Sequence, residues 1–283
     1  MRLEDHVGDI VRKARRMGGI EVGDAAAAGG IGVSELEGFE EGGVAPAGLD
    51  WEGLARCLGL HAGKLRRIAG GWEPAPVDGA AYPGLLAITT HGRGMAVHCY
   101  LVWDPGTREA ALFDTGFDAE PVFEAIARHQ LKLTLLCITH THGDHVAALD
   151  PIRARFPELR LRASGTSIPA AHRNRPGEVL AVGGRTVEAR ATPGHADDGT
   201  TYWIADRAGG VPVLAVVGDA LFAGSLGGAP DKGDLARGKV RDEVLSLPGT
   251  VLLCPGHGPM TTVGEQRAVN PFFDFGDEDR TSV

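Results

Sequence analysis

The chain has 283 residues, 43% of them hydrophobic, and a formal net charge of -9. That length accommodates one large domain and a smaller one, with a full core that needs no lipid. The acidic balance argues against broad nucleic-acid affinity, and no apolar run reaches the length of a transmembrane helix.

The first nine residues lack the apolar segment of a secretory signal, and the four cysteines (Cys57, Cys99, Cys137, Cys254) are scattered. A cytoplasmic protein with free thiols is expected. Residues 1–72 are patterned for helices. Val7, Ile10, Val11 and Ala14 make an apolar stripe over Val7–Met17. Further helices are expected over 22–28, 33–39, 51–58 and 62–69, with Ser34 and Asp50 as N-caps. Gly29-Gly30-Ile31-Gly32 supplies a turn between the second and third.

This spacing of helices and turn resembles the helix-turn-helix domain of the Cro/repressor type. In such a domain the third helix reads the DNA groove. Here it carries Glu35, Glu37, Glu40 and Glu41 and no Arg, Lys, Gln or Asn. Across residues 1–72, nine Lys/Arg face eleven Asp/Glu. Carboxylates repel phosphate, so DNA binding is not expected. The unit is expected instead to pack on the rest of the chain or to form a homodimer contact.

A Gly/Pro-rich linker follows, placed at 73–83, and a domain over 84–283. Strands are expected at 95–103, 109–113, 131–139, 159–163, 186–191, 201–204, 211–217 and 250–254. Helices are expected at 119–129, 147–155 and 239–247. The acidic tail, 274–283, is expected to fray.

The densest chemistry is His140-Thr141-His142-Gly143-Asp144-His145, directly after the apolar run 131–139. In an extended segment alternate side chains share a face, so His140 and His142 can reach one ion. Gly143 then lets the chain turn and frees Asp144 and His145. Nitrogen and carboxylate donors without thiolate suit zinc, iron or manganese. Three more His/Asp positions sit at glycine-rich turns: His195 in Thr-Pro-Gly-His, Asp219 in Val-Gly-Asp, and His257 in Pro-Gly-His-Gly. The other histidines (His6, His61, His91, His98, His129, His172) show no ligand spacing.

Together these four motifs resemble the metallo-β-lactamase superfamily of metallohydrolases. The runs Gly218-Asp-Ala-Leu-Phe-Ala-Gly-Ser225 and 256–273 are similar to its glyoxalase II branch, the hydroxyacylglutathione hydrolase-like proteins. The resemblance spans residues 78–273 and implies an α/β fold, an αββα sandwich with the metal loops along one edge of two packed sheets. It implies two divalent ions, zinc first, with iron or manganese as alternatives. His140, His142 and His195 would hold one, Asp144, His145 and His257 the other, and Asp219 would bridge them. Asp144 enters both as ligand and as catalytic residue. Asp114, in Leu-Phe-Asp-Thr-Gly, would orient a ligand histidine. A water shared by the ions would lose its proton near neutral pH and attack a thioester, with a thiolate leaving.

Substrate-gripping features are partly absent. The chain ends soon after Asn270-Pro-Phe-Phe273, so the C-terminal helices of full-length glyoxalase II have no counterpart. After Ser225 the chain reads Leu-Gly-Gly-Ala-Pro-Asp231 and lacks the arginine frequent in relatives. The segment 164–173 and the pair Asp197 and Asp198 are candidates to line the cleft, with solvated loop as the favoured reading, and the substrate-binding residues stay unassigned. A small-molecule thioester, hydroxyacylglutathione foremost, is the expected substrate. Hydrolysis of a lactone or another acyl thioester, persulfide dioxygenation, and a metal- or metabolite-sensing DNA-binding regulator are the alternatives. Removing residues 1–72 is expected to leave the metal centre assembled.

Overall fold

In the computed structural model, residues 2–207 and 209–276 are described. Five helices come first: α1 (Val7–Met17), α2 (Val22–Ala28), α3 (Val33–Gly42), α4 (Trp51–Leu58) and α5 (Ala62–Ala69). Their positions match the apolar periodicity. Asp50 caps α4 by accepting from Glu52 N and Gly53 N at 3.1 and 3.0 Å. The start of α3 differs from expectation. Its N-cap is Gly32, whose N–H donates to Glu35 at 2.8 Å, so the capping carboxylate replaces the hydroxyl expected at Ser34.

A five-stranded sheet follows, in spatial order β1 (Leu85–Gly92), β2 (Met95–Trp103), β3 (Glu109–Phe113), β4 (Lys132–Cys137), β5 (Arg160–Arg162). Between its strands lie α6 (Glu120–His129), the single turn α7 (Gly143–Val146) and α8 (Leu149–Arg155). The second sheet is built from β6 (Val179–Val182), β7 (Arg185–Ala191), β8 (Thr200–Ala205), β9 (Pro212–Gly218), β12 (Leu252–Pro255) and β13 (Thr261–Thr262). A hairpin of β10 (Leu221–Phe222) and β11 (Ser225–Leu226) leaves it. The helices α9 (Gly233–Glu243) and α10 (Val263–Val269) complete the chain. The order in the second sheet is β13-β12-β9-β8-β7-β6.

Alternating side chains sort the layers. Tyr100 and Val102 of β2, and Phe113 of β3, face Tyr202, Ile204, Leu214 and Val216 across the sandwich. Cys99, Leu101 and Leu112 point the other way, into a core shared with Val122, Ile126 and Ile152 of α6 and α8. On the far side, Ala215, Val217 and Leu253 join Val240 of α9 and Val263 of α10. The same cluster holds Ile10, Val11, Leu36, Phe39, Leu54 and Leu65 from the five N-terminal helices. The architecture is thus a mixed α/β sandwich of two sheets with an N-terminal helical region packed on one side.

Several elements were not expected. β1 begins just past the glycine-rich linker, and β6 is four residues long. α9 starts at Gly233, six residues before the expected 239–247, because Gly238 interrupts the apolar period that Ala236 and Val240 carry into the core. β4 ends at Cys137, so His140 and His142 lie on an irregular loop and not on alternating strand positions. Gly143 opens α7 with ordinary helical backbone, and that helical turn presents Asp144 and His145. In the acidic tail, residues 277–283 lie outside the described residues.

Candidate metal centre

The topology brings the expected donors to one edge. β3 and β4 run parallel, and so do β9 and β12, so their C-terminal ends lie on the same side. β7 is antiparallel to β8, which is antiparallel to β9, so the end of β7 joins them. From these ends issue Asp114, the 140–145 segment, His195, Asp219 and His257. Strand ends are where a rigid scaffold meets loops free to carry chemistry.

All seven sequence-derived donors converge. His140 Nε2 and His195 Nε2 each lie 3.0 Å from His142 Nδ1. His257 Nε2 lies 3.2 Å from Asp144 Oδ2, and His145 Nε2 lies 3.6 Å from the same oxygen. Asp219 stands between the two groups. Its Oδ1 is 3.3 Å from His145 Nε2, and its Oδ2 is 3.5 Å from His195 Nε2 and 3.4 Å from His257 Nε2. Three overlapping sets therefore could hold a cation: His140/His142/His195, His140/His145/Asp219 and Asp144/His145/His257.

The nitrogens turned away from the centre are tied down. His145 Nδ1 meets Asp114 Oδ2 at 2.8 Å. His195 Nδ1 donates to Gly228 O at 3.1 Å, and His257 Nδ1 to Ala96 O at 2.6 Å. Such bonds fix the tautomer that leaves Nε2 as a donor atom for metal. Asp114 sits in the left-handed region, with φ 58°. There it accepts from Thr139 N and Thr139 Oγ1, both at 2.7 Å, as well as from His145. It thus locks the strand exit to the buried ring.

A test of fit comes from groups with nothing to satisfy them. His145 Nε2 and Asp219 Oδ1 are buried without a hydrogen-bond partner. Leaving such atoms unpaired costs about 1–3 kcal/mol each, more when charged. Two facing orphans among imidazoles and carboxylates fit a divalent cation.

Without an ion the electrostatics are lopsided. Burial and the neighbouring His145 push His140 down to about 2. Burial also lowers His145, but Asp114 and Asp219 outweigh it and raise the ring to about 11. At His257, burial is outweighed by Asp219, which brings it to about 9. Burial would raise Asp219, but the neighbouring His145 and His257 rings hold it well below the usual carboxylate range.

The glycines of the Pro-Gly-His-Gly turn have a steric reason. A Cβ on Gly256 would lie 2.3 Å from Asp219 Oδ1 and 2.6 Å from His145 Cε1. Other side chains support the site, and Asp198 is among them rather than a freely solvated loop residue. Asp198 Oδ2 accepts from Thr141 N at 3.0 Å and Thr141 Oγ1 at 2.7 Å, tying the His195 loop to the residue between His140 and His142. Only its place three residues after His195 hinted at this. Asp197 is exposed and pairs with Lys232. His98 is buried, meeting Gly258 O at 2.9 Å and Thr89 Oγ1 at 2.9 Å, and braces the His257 turn. His6 and His61 cap α1 and α5.

The fold and this edge define a metal-dependent hydrolase of the β-sandwich type, and comparison with known proteins agrees. A profile described as the Metallo-beta-lactamase superfamily matches residues 92–265, more than half of the chain, and the chain belongs to that superfamily. Its members bind divalent metals, typically two. The chain is 28% identical to a hydroxyacylglutathione hydrolase, GloC, of Haemophilus influenzae, over 62% of this chain and 92% of that protein. It is 29% identical to a mitochondrial persulfide dioxygenase of Mus musculus, over 62% of this chain and 70% of that one. Among solved structures, TTHA1623 in a di-iron-bound form superposes with a TM-score of 0.52 at 25% identity, over 66% of this chain and all of that one. Among the described residues no helix is long and apolar enough to cross a membrane.

Proposed function

We propose that the protein hydrolyses a thioester, hydroxyacylglutathione foremost, at a centre of two divalent ions. His140, His142 and His195 would hold one ion, Asp144, His145 and His257 the other, and Asp219 both. The carrying observation is the convergence of these seven side chains around the facing orphans His145 Nε2 and Asp219 Oδ1. When bound, such ions polarise an acyl carbonyl and make water a nucleophile near neutral pH.

The chain's own groups have distinct parts. Asp219, buried and flanked by histidines of both sets, would offset the repulsion of two cations. Asp144 keeps 16% of its side chain exposed, against 8% for Asp219, and would be the carboxylate that takes a proton from attacking water. Asp114 would hold His145 in its donor tautomer. The thiol of a thioester has a pKa of roughly 8.5 and leaves without strong acid assistance. The hydrolase of Haemophilus influenzae supports this substrate class.

Protein loaded separately with zinc, iron and manganese should hydrolyse a hydroxyacyl thioester of glutathione. Loss of that activity with retained lactone hydrolysis would overturn the substrate assignment. The murine relative favours a second reading, oxidation of glutathione persulfide, which predicts dioxygen consumption instead.

The N-terminal helices keep a repressor-like arrangement in this reading, without DNA recognition. Glu40 of α3 is spent on a two-pronged pair with Arg15, at 2.6 and 2.7 Å. Glu35, Glu37 and Glu41 are exposed and would face phosphate. The region's apolar face packs on the second sheet.

A further inference from the structure

The N-terminal segment reaches the metal edge itself. Lys13, on α1, is mostly buried and makes three contacts there. Its ammonium pairs with the buried Asp5, donates to Leu226 O at 3.3 Å, and lies 4.9 Å above the Phe222 ring. Phe222 in turn stands edge-on to the His257 ring at 5.9 Å.

Leu226 begins a turn with little freedom. A Cβ on the next residue, Gly227, would fall 1.8 Å from Asp219 O and 3.2 Å from His195 Cβ. The turn thus lies close against the aspartate's backbone on one side and accepts the Lys13 ammonium at Leu226 O on the other. Gly228 carries the carbonyl that accepts from His195 Nδ1 at 3.1 Å. Among the seven donors, His195 keeps 23% of its side chain exposed, so burial alone does not fix its ring.

We propose that the N-terminal helical region is a working part of the metal centre, with Lys13 as a positioning residue for His195 through the 226–228 turn. Lys13 holds Leu226 O, the turn holds the Gly228 carbonyl in place, and that carbonyl fixes the ring and tautomer of His195. The superfamily match begins at residue 92, so this support comes from outside it. Further along α1, Met17 packs at the start of α9, where a Cβ on Gly233 would meet Met17 Cβ at 3.1 Å. Residue Glu4 lies against Gly258, beside His257.

The inference rests on the metal reading above, and the test separates the two. Full-length wild type, Lys13→Met, Lys13→Arg and the double variant Lys13→Met/Asp5→Asn are titrated with zinc against a chelator, alongside thermal unfolding. The double variant removes the unpaired buried carboxylate that Lys13→Met leaves. Both Met-containing variants should lose about 10- to 100-fold affinity at one of two zinc positions, the usual effect of removing support behind a ligand. The other position, held by Asp144, His145 and His257, should keep its affinity, and Lys13→Arg should recover part of the loss. Wild-type affinity at both positions in the double variant would overturn the proposal. So would a parallel loss at both positions that tracks the melting temperature. Wild-type protein that takes up no zinc would contradict the metal reading itself, and the inference with it.

Discussion

Asp198 and Thr141 tie two loops of the candidate site together without belonging to any of its donor sets. One carboxylate oxygen takes both the backbone and hydroxyl protons of Thr141, between two histidine donors. Replacing Asp198 with Ala should weaken the His140/His142/His195 position by about 10- to 100-fold, and Asn should restore part of it. Chelator competition measures this, and unchanged affinity would show that the loop holds itself. A second residue-scale expectation follows from His145 and His257, raised to about 11 and about 9 in the metal-free protein. Both are protonated near neutral pH, and each must lose the Nε2 proton to become a donor. Metal uptake should release protons and tighten as pH rises. Calorimetry in two buffers of different ionisation enthalpy reads the protons directly, and a buffer-independent heat would contradict the assignment. In the metal-free fold the same raised values stabilise below roughly pH 6.5, and that contribution is lost as pH climbs through about 9 and about 11.

At the scale of elements, the centre depends on strand ends reaching one edge with little clearance. Gly256→Ala would drive a methyl into Asp219 and His145. It should abolish metal binding while leaving the sandwich folded, as elemental analysis and circular dichroism would show; a loaded Gly256→Ala protein would refute that packing. The donors were legible in the sequence because His and Asp clustered at glycine-rich turns after apolar runs serve packing poorly. The path that joins them was not. His140 and His142 meet through an irregular loop, not strand alternation, and Asp144 and His145 through a helical turn. The supports, Ala96 O, Gly228 O and Asp198, lie far from the donors they hold in sequence or carry no residue-type signal. Helix positions in the N-terminal region were legible because apolar residues recur at helical spacing between glycine turns and caps such as Asp50. Short strands such as β6 and β13, and the glycine-interrupted α9, lack a period to read.

For the whole molecule, the shared core revises one expectation. Helices α1–α5 bury Ile10, Leu36, Phe39, Leu54 and Leu65 in the same cluster as Ala215, Val217 and Leu253 of the second sheet. Removing residues 1–72 strips one wall from that sheet, so the truncated chain should aggregate or lose metal rather than retain the centre. Phe39→Ala, at a side chain only 1% exposed, should cost about 3–5 kcal/mol and shift a single unfolding transition of the entire protein. Two separate transitions in denaturant would show that the helices fold independently. The acidic α3 predicts no salt-sensitive, sequence-selective shift of duplex DNA. The most direct test of the central claim is metal content per chain, by elemental analysis of full-length protein reconstituted with zinc, iron or manganese. Two ions are expected in the wild type, and fewer than one after Asp219→Ala removes the shared carboxylate. No bound ion in the wild type, or undiminished content in Asp219→Ala, would contradict the account.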